Sequence, residues 1–145
     1  MNSAAPSGSM EFVQKSAQRS DMTPAIILFG NGARNAEYVE PFRRIRAAML
    51  SRQPQARVEI GFLELSQPTL EEAVAALVAQ GATQIRIVPV FFAPGRHVLK
   101  DLPERAAAAI ERHPGLQIDL ADAVGTATAV IEAMAMYALG QAKQL

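Results

Sequence analysis

Apolar positions along this chain change period several times, and the changes mark out alternating strands and helices. Ala25-Ile26-Ile27-Leu28-Phe29 is an unbroken apolar run closed by Gly30, as expected of a strand buried on both faces. From Ala36 to Arg52 the spacing becomes three and four. Val39, Phe42, Ile45 and Met49 form one stripe, which predicts a helix. Arg43, Arg44 and Arg46 fall mostly off that stripe and read as a solvated face. Arg57 to Leu65 reads as a second strand. Thr69-Leu70-Glu71-Glu72 has the residues of a capping box, opening a helix with Leu70, Val74 and Leu77 on one face and Gly81 as its terminator. Ile85 to Phe92 is the third strand, in which pairing is expected to loosen at Pro89. Asp101-Leu102-Pro103-Glu104 reads as a helix start, with Asp101 as cap and His113 near the end. Leu116 to Val124 holds the fourth strand. A last helix, from about Thr128 to Ala142, is expected to turn Val130, Ile131, Met134, Ala138 and Leu139 inward.

Four strands alternating with four helices predict right-handed crossovers and a parallel sheet covered on both faces. The fold class is α/β, a flavodoxin-like three-layer arrangement with strand order 2-1-3-4. Strands 1 and 3 are then neighbours whose crossovers leave to opposite sides. Ligands bind at the carboxyl ends of strands at such a switch point. A chain of 145 residues suits one such domain, placed at 22–145. Residues 1–21 are small, polar and aperiodic, and are expected to be a disordered extension.

Composition narrows the chemistry. Fourteen basic and fourteen acidic residues give zero net charge, so no bulk attraction for nucleic acid or an acidic membrane is expected. No apolar run approaches the roughly 18 residues of a membrane span. The absence of cysteine removes thiol catalysis, thiolate-held metals and disulfides together, and is compatible with a cytoplasmic location.

Two loops are expected to face each other at the switch point: Gly30-Asn31-Gly32-Ala33-Arg34-Asn35 and Phe92-Ala93-Pro94-Gly95-Arg96-His97. Glu64 lies at the end of the second strand. The glycines make an incomplete dinucleotide fingerprint, because Asn35 stands where a third glycine belongs. The first loop has no hydroxyls for a flavin phosphate and no acidic residues for phosphoryl acceptance. His97 has the chemistry of a base near neutrality or a metal ligand. His113 is better explained as a cation at a helix end. Arg34 and Arg96 suit carboxylate or phosphate. Glu64 could pair with one of them or bind a cation.

The motifs together resemble the small sirohydrochlorin chelatases, the short cobalt- or iron-inserting enzymes of cobalamin and siroheme synthesis. The resemblance rests on Gly30-Asn31-Gly32-Ala33-Arg34, Phe62-Leu63-Glu64-Leu65, and Val88-Pro89-Val90-Phe91-Phe92 followed by Gly95, His97, Asp101 and Pro103. It covers about Pro24 to Leu139 and implies the chelatase fold. In that family two histidines hold the metal over the tetrapyrrole, one in a His-Gly-Ser/Ala-Arg motif and one in Gly-x-His. The second maps to His97. The first maps to Asn31, where the imidazole is replaced by an amide; Gly32, Ala33 and Arg34 match, and Asn35 stands where aspartate is common. The Glu64 position is acidic in the family's site.

The resemblance implies insertion of cobalt, nickel or iron, as substrate rather than bound cofactor, into a tetrapyrrole. His97, Glu64 and Asn31 would form the catalytic and metal-holding set, and Arg34, Arg96, Gly32 and Gly95 the tetrapyrrole-binding set. It also implies a homodimer. A second reading is a non-catalytic relative that binds tetrapyrrole or metal as carrier or sensor.

Overall fold

The structure, a computed structural model, describes residues 24–93 and 95–141. The expectation for residues 1–21 lies outside the described residues. Four parallel strands, β1 (Ala25–Gly30), β2 (Val58–Phe62), β3 (Gln84–Pro89) and β4 (Gln117–Leu120), form one sheet in the order β2-β1-β3-β4. Between and after them run α1 (Glu40–Arg52), α2 (Leu70–Ala79), α3 (Arg96–Arg112) and α4 (Thr128–Ala138). The expected alternation and strand order are both present.

The central strand is apolar throughout because it meets packed side chains on both faces. Ala25, Ile27 and Phe29 face α2 and α3, where Leu70, Val74, Leu77, Ile85, Ile87, Val98 and Leu102 complete one core. Leu28 faces the other way and packs with Val39, Phe42, Val58, Ile60 and Phe62. Helix α2 starts as its sequence dictates. The Thr69 hydroxyl accepts from Glu72 N–H at 3.1 Å, and the Glu72 carboxylate accepts from Thr69 N–H at 2.8 Å. Beyond its end Gly81 adopts φ +96°.

Several boundaries differ from expectation, each for a physical reason. Strand β2 stops at Phe62, paired with Gly30, the last residue of β1. Strand β3 stops at Pro89, which has no N–H to extend a ladder. Strand β4 ends at Leu120, opposite Ile87. The expected first helix is a 3-10 turn, Ala36–Val39, capped by Asn35, followed by α1. Ile45 stands 37% exposed rather than in the stripe. Arg46 turns inward instead of lying on a solvated face, its Nε donating to the Val58 carbonyl on the edge strand.

Helix α3 begins at Arg96, not Asp101. Val98 and Leu102, 6% and 5% exposed, anchor its first turns in the core. Asp101 is therefore an interior helix residue rather than a cap, and Pro103 lies inside the helix. Helix α4 departs most. None of its residues is buried: Ile131 is 47% exposed, and Leu139, its C-cap, is 71% exposed. The reason lies on the sheet face opposite α2 and α3. There Arg86 of β3 stands beside Asp119 of β4, paired at 3.4 Å and exposed, and offers an apolar helix no apolar seat.

Candidate functional site at the carboxyl edge of the sheet

The crossovers from β1 and β3 leave to opposite faces, so the carboxyl ends of these neighbouring strands form the switch point where a ligand can enter. The loops there are joined by backbone bonds that carry the sheet pairing past the strand ends. Leu63 N–H donates to the Gly30 carbonyl at 2.9 Å and Glu64 N–H to the Asn31 carbonyl at 3.1 Å. Val90 N–H donates to the Phe29 carbonyl at 2.8 Å. Asn31 and Glu64 are thus brought side by side at the level of the backbone, and both side chains are exposed.

At Gly32 the loop admits no side chain. Its φ is +93°, and a Cβ there would fall on the Glu64 carbonyl oxygen. Leu65, which follows Glu64, also has positive φ, +69°, and a bond from Ser66 N–H to the Glu64 carbonyl at 2.8 Å closes the turn around it. This is the pattern of a tight γ-turn, uncommon and strained for a branched side chain.

Two further residues tie the rim together, and both escaped the sequence reading. Ser66, the buried polar residue among the described residues, is 8% exposed. Its Oγ accepts from Ala33 N–H at 2.9 Å and donates to the Ala33 carbonyl at 3.0 Å. Arg105 of α3 donates from Nη1 to the Leu63 carbonyl at 3.1 Å, with Nε 3.6 Å from Glu71 of α2. A serine in Leu65-Ser66-Gln67-Pro68 carries no signal that its partner lies 33 residues earlier, and Arg105 reads as one more charge on an amphipathic helix.

On the β3 side, Gly125 N–H donates to the Phe91 carbonyl at 3.1 Å. A Cβ on Gly125 would strike the Phe92 backbone, so the chain after β4 lies close against this loop. Gly95 caps α3, and His97 is the second residue of that helix rather than part of the preceding loop. The His97 side chain and Pro94 lie outside the described part of the structure. Arg34 and Arg96 are exposed. The ion pairs among the described residues are Arg43 with Glu40, Arg86 with Asp119 and Arg105 with Glu71, so Glu64 is not committed to an arginine. His113 is the C-cap residue of α3. Among the described residues no cluster of three or more metal-ligating side chains is assembled within this chain. A cavity of about 310 Å³ lies elsewhere, lined by Arg43, Arg46, Glu59, Ile60 and Pro68.

A parallel sheet of order 2-1-3-4, with the loops that follow β1 and β2 joined by backbone bonds at its carboxyl edge, defines a doubly wound α/β protein. The family model described as CbiX matches residues 25–138, spanning all four strands and both loops, and the chain belongs to that family. A sirohydrochlorin cobaltochelatase of Methanosarcina acetivorans is 38% identical over 78 residues, which are 54% of this chain and 60% of that protein. A CbiX protein from Marinobacter aquaeolei superposes with a TM-score of 0.72 at 28% identity, covering 81% of this chain and 95% of the other. SirB from Bacillus subtilis, solved with Fe3+, superposes with a TM-score of 0.68 at 29% identity, covering 81% of this chain and 47% of SirB. The matched region spans about 60% of the curated cobaltochelatase and about half of SirB.

Proposed function

We propose that this chain inserts a divalent metal ion, cobalt, nickel or iron, into sirohydrochlorin. The observation that carries the reading is the CbiX match over residues 25–138, which includes both motif loops, together with relatives named as sirohydrochlorin chelatases. In the reaction one metal ion enters the macrocycle and two pyrrole protons leave. A neutral imidazole suits cobalt, nickel and iron as a ligand and accepts a proton near neutrality. His97 takes both tasks in this reading. Glu64 is a second ligand or proton acceptor. Asn31 contributes at most an amide oxygen, a weak donor and no base. Arg34 and Arg96 anchor the peripheral carboxylates of the substrate, and Gly32 and Gly95 let the backbone come close to it.

The functional unit in this proposal is a homodimer. A lobe about half the size of SirB covers only part of a macrocycle, so a second copy supplies the other side. Phe92 and Leu99, 72% and 62% exposed beside the motif loop, are the apolar side chains offered for that contact, with Phe91 behind them.

The deciding experiment is an insertion assay on the purified chain, with sirohydrochlorin and each of Co2+, Ni2+ and Fe2+, against the uncatalysed rate. Turnover above that rate for at least one metal is expected. Saturable binding of tetrapyrrole or metal without turnover would replace this reading with the carrier or sensor one, the outcome in which the amide at Asn31 has disabled the site.

A further inference from the structure

We propose that Ser66 is a positioning residue for the chelatase rim. Through its two bonds to Ala33 it holds the loop bearing Asn31 and Arg34 in register with Glu64. The inference rests on the insertion reading above and adds to it a residue that touches neither metal nor tetrapyrrole.

The argument begins with burial. Ser66 is 8% exposed, and a hydroxyl taken out of water must recover its hydrogen bonds inside the protein. It recovers both from one residue. Oγ accepts from Ala33 N–H at 2.9 Å and donates to the Ala33 carbonyl at 3.0 Å. One side chain therefore satisfies the donor and the acceptor of a loop residue that has no strand to pair with.

The position of that loop residue decides what the bonds do. Ala33 lies between Gly32, whose backbone packs on the Glu64 carbonyl, and Arg34. Asn31 is already held to Glu64 by a backbone bond at 3.1 Å. Ser66 adds a second point of attachment two residues further on. Two points fix the direction of the loop as well as its distance, so Arg34 leaves the rim at a set angle.

The turn that delivers Ser66 is itself constrained. Leu65 is held at φ +69°, with Ser66 N–H bonded back to the Glu64 carbonyl at 2.8 Å. An exposed leucine gains nothing by adopting that conformation alone. The surrounding bonds hold it there, and strain of this kind persists where the structure over-determines it. The turn aims the Ser66 hydroxyl at Ala33 while keeping Glu64 next to Asn31.

The test compares Ser66→Ala, Ser66→Thr and Ile85→Val. Ile85 is a buried core residue near the amino end of β3, away from the rim. All are assayed well below their unfolding midpoints, with circular dichroism confirming the fold. Ser66→Ala is expected to lower kcat/KM for cobalt insertion by about tenfold or more, within the range that small misplacements of catalytic groups cost. Its Ala33 amide should exchange with solvent faster, while the amides of Ile27 and Ile87 keep their protection. Ser66→Thr keeps the hydroxyl and should restore both readouts toward wild type. A Ser66→Ala variant with kcat/KM equal to that of Ile85→Val would overturn the proposal, even if Ala33 exchanged faster, because Ser66 would then only hold the fold. A wild-type chain that turned over no metal would refute the insertion reading and this role together. An active wild type beside an undiminished Ser66→Ala would refute the role of Ser66 alone.

Discussion

At the scale of single residues, the rim joins the proposed ligand position at Asn31 to one crowded backbone contact at Gly32. Asn31 occupies the position where the resemblance places histidine, and it adjoins Glu64 through the backbone. Asn31→His would put an imidazole where only an amide oxygen stands. Cobalt and nickel prefer the nitrogen donor, and a well-placed base typically contributes about 10²–10⁴-fold in rate. Calorimetric titration with Co2+ should show tighter binding for Asn31→His, and the insertion assay a higher kcat. His97→Ala should remove binding in either background. If Asn31→His changes neither affinity nor turnover, the histidine-pair mechanism does not extend to this chain. Gly32 gives a stability prediction at the next position. Its φ of +93° and its contact with the Glu64 carbonyl leave no room for Cβ, so Gly32→Ala should destabilise by more than about 1 kcal/mol. Urea denaturation should show a lower midpoint at unchanged slope. The sequence displayed Asn31, Glu64, Arg34 and His97 as candidates because their residue types carry chemistry. It hid Ser66, whose importance lies in a partner far along the chain.

At the scale of elements, local chemistry was readable wherever it decided the outcome. The capping box at Thr69 and the left-handed Gly81 act within a few residues, and both bound α2 as read. The parallel sheet followed from alternation and the handedness of crossovers, and the strand order is the flavodoxin-like one expected. Helix α3 shows where such reading stops. Asp101-Leu102-Pro103-Glu104 has every local mark of a helix start, yet the helix begins five residues earlier at Arg96. The deciding factor is tertiary: burial of Val98 against the sheet outweighs the cost of an interior proline. That cost should be recoverable. Pro103 is exposed and cannot donate to the Leu99 carbonyl. Pro103→Ala restores the donor and removes the ring clash, which together cost up to about 3 kcal/mol in a helix interior. Pro103→Ala should therefore raise the urea midpoint, by about 1–3 kcal/mol in unfolding free energy. A variant no more stable than wild type would mean that α3 is already bent to accommodate the ring.

At the scale of the whole molecule, the sheet is covered on one face by α2 and α3 and on the other by α1, while α4 leaves its apolar residues exposed. The alternation of the sequence predicted a fully covered sheet. It could not reveal that Arg86 and Asp119, paired across β3 and β4, would make that part of the face polar. Among the exposed apolar residues, two groups are candidates for the proposed pairing with a second copy: Phe92 with Leu99 beside the motif loop, and Ile131, Tyr137 and the C-cap residue Leu139 at the last helix. The proposed chemistry chooses between them. Only a seam beside the motif loop brings a second rim to the same macrocycle, whereas pairing through α4 alone gives the tetrapyrrole no second wall. Light scattering at micromolar concentration should give about twice the 15.6 kDa chain mass. A stable pair is expected to bury on the order of 1,200–2,000 Å² in total, and a charge in the middle of such a contact is costly. Leu99→Asp should therefore yield a monomer with reduced turnover, and Tyr137→Asp should leave a dimer. The reverse pattern would place the seam on α4 and separate dimerisation from the rim. A wild-type monomer that still inserts metal would show that one lobe suffices, and the half-lobe argument for pairing would fall.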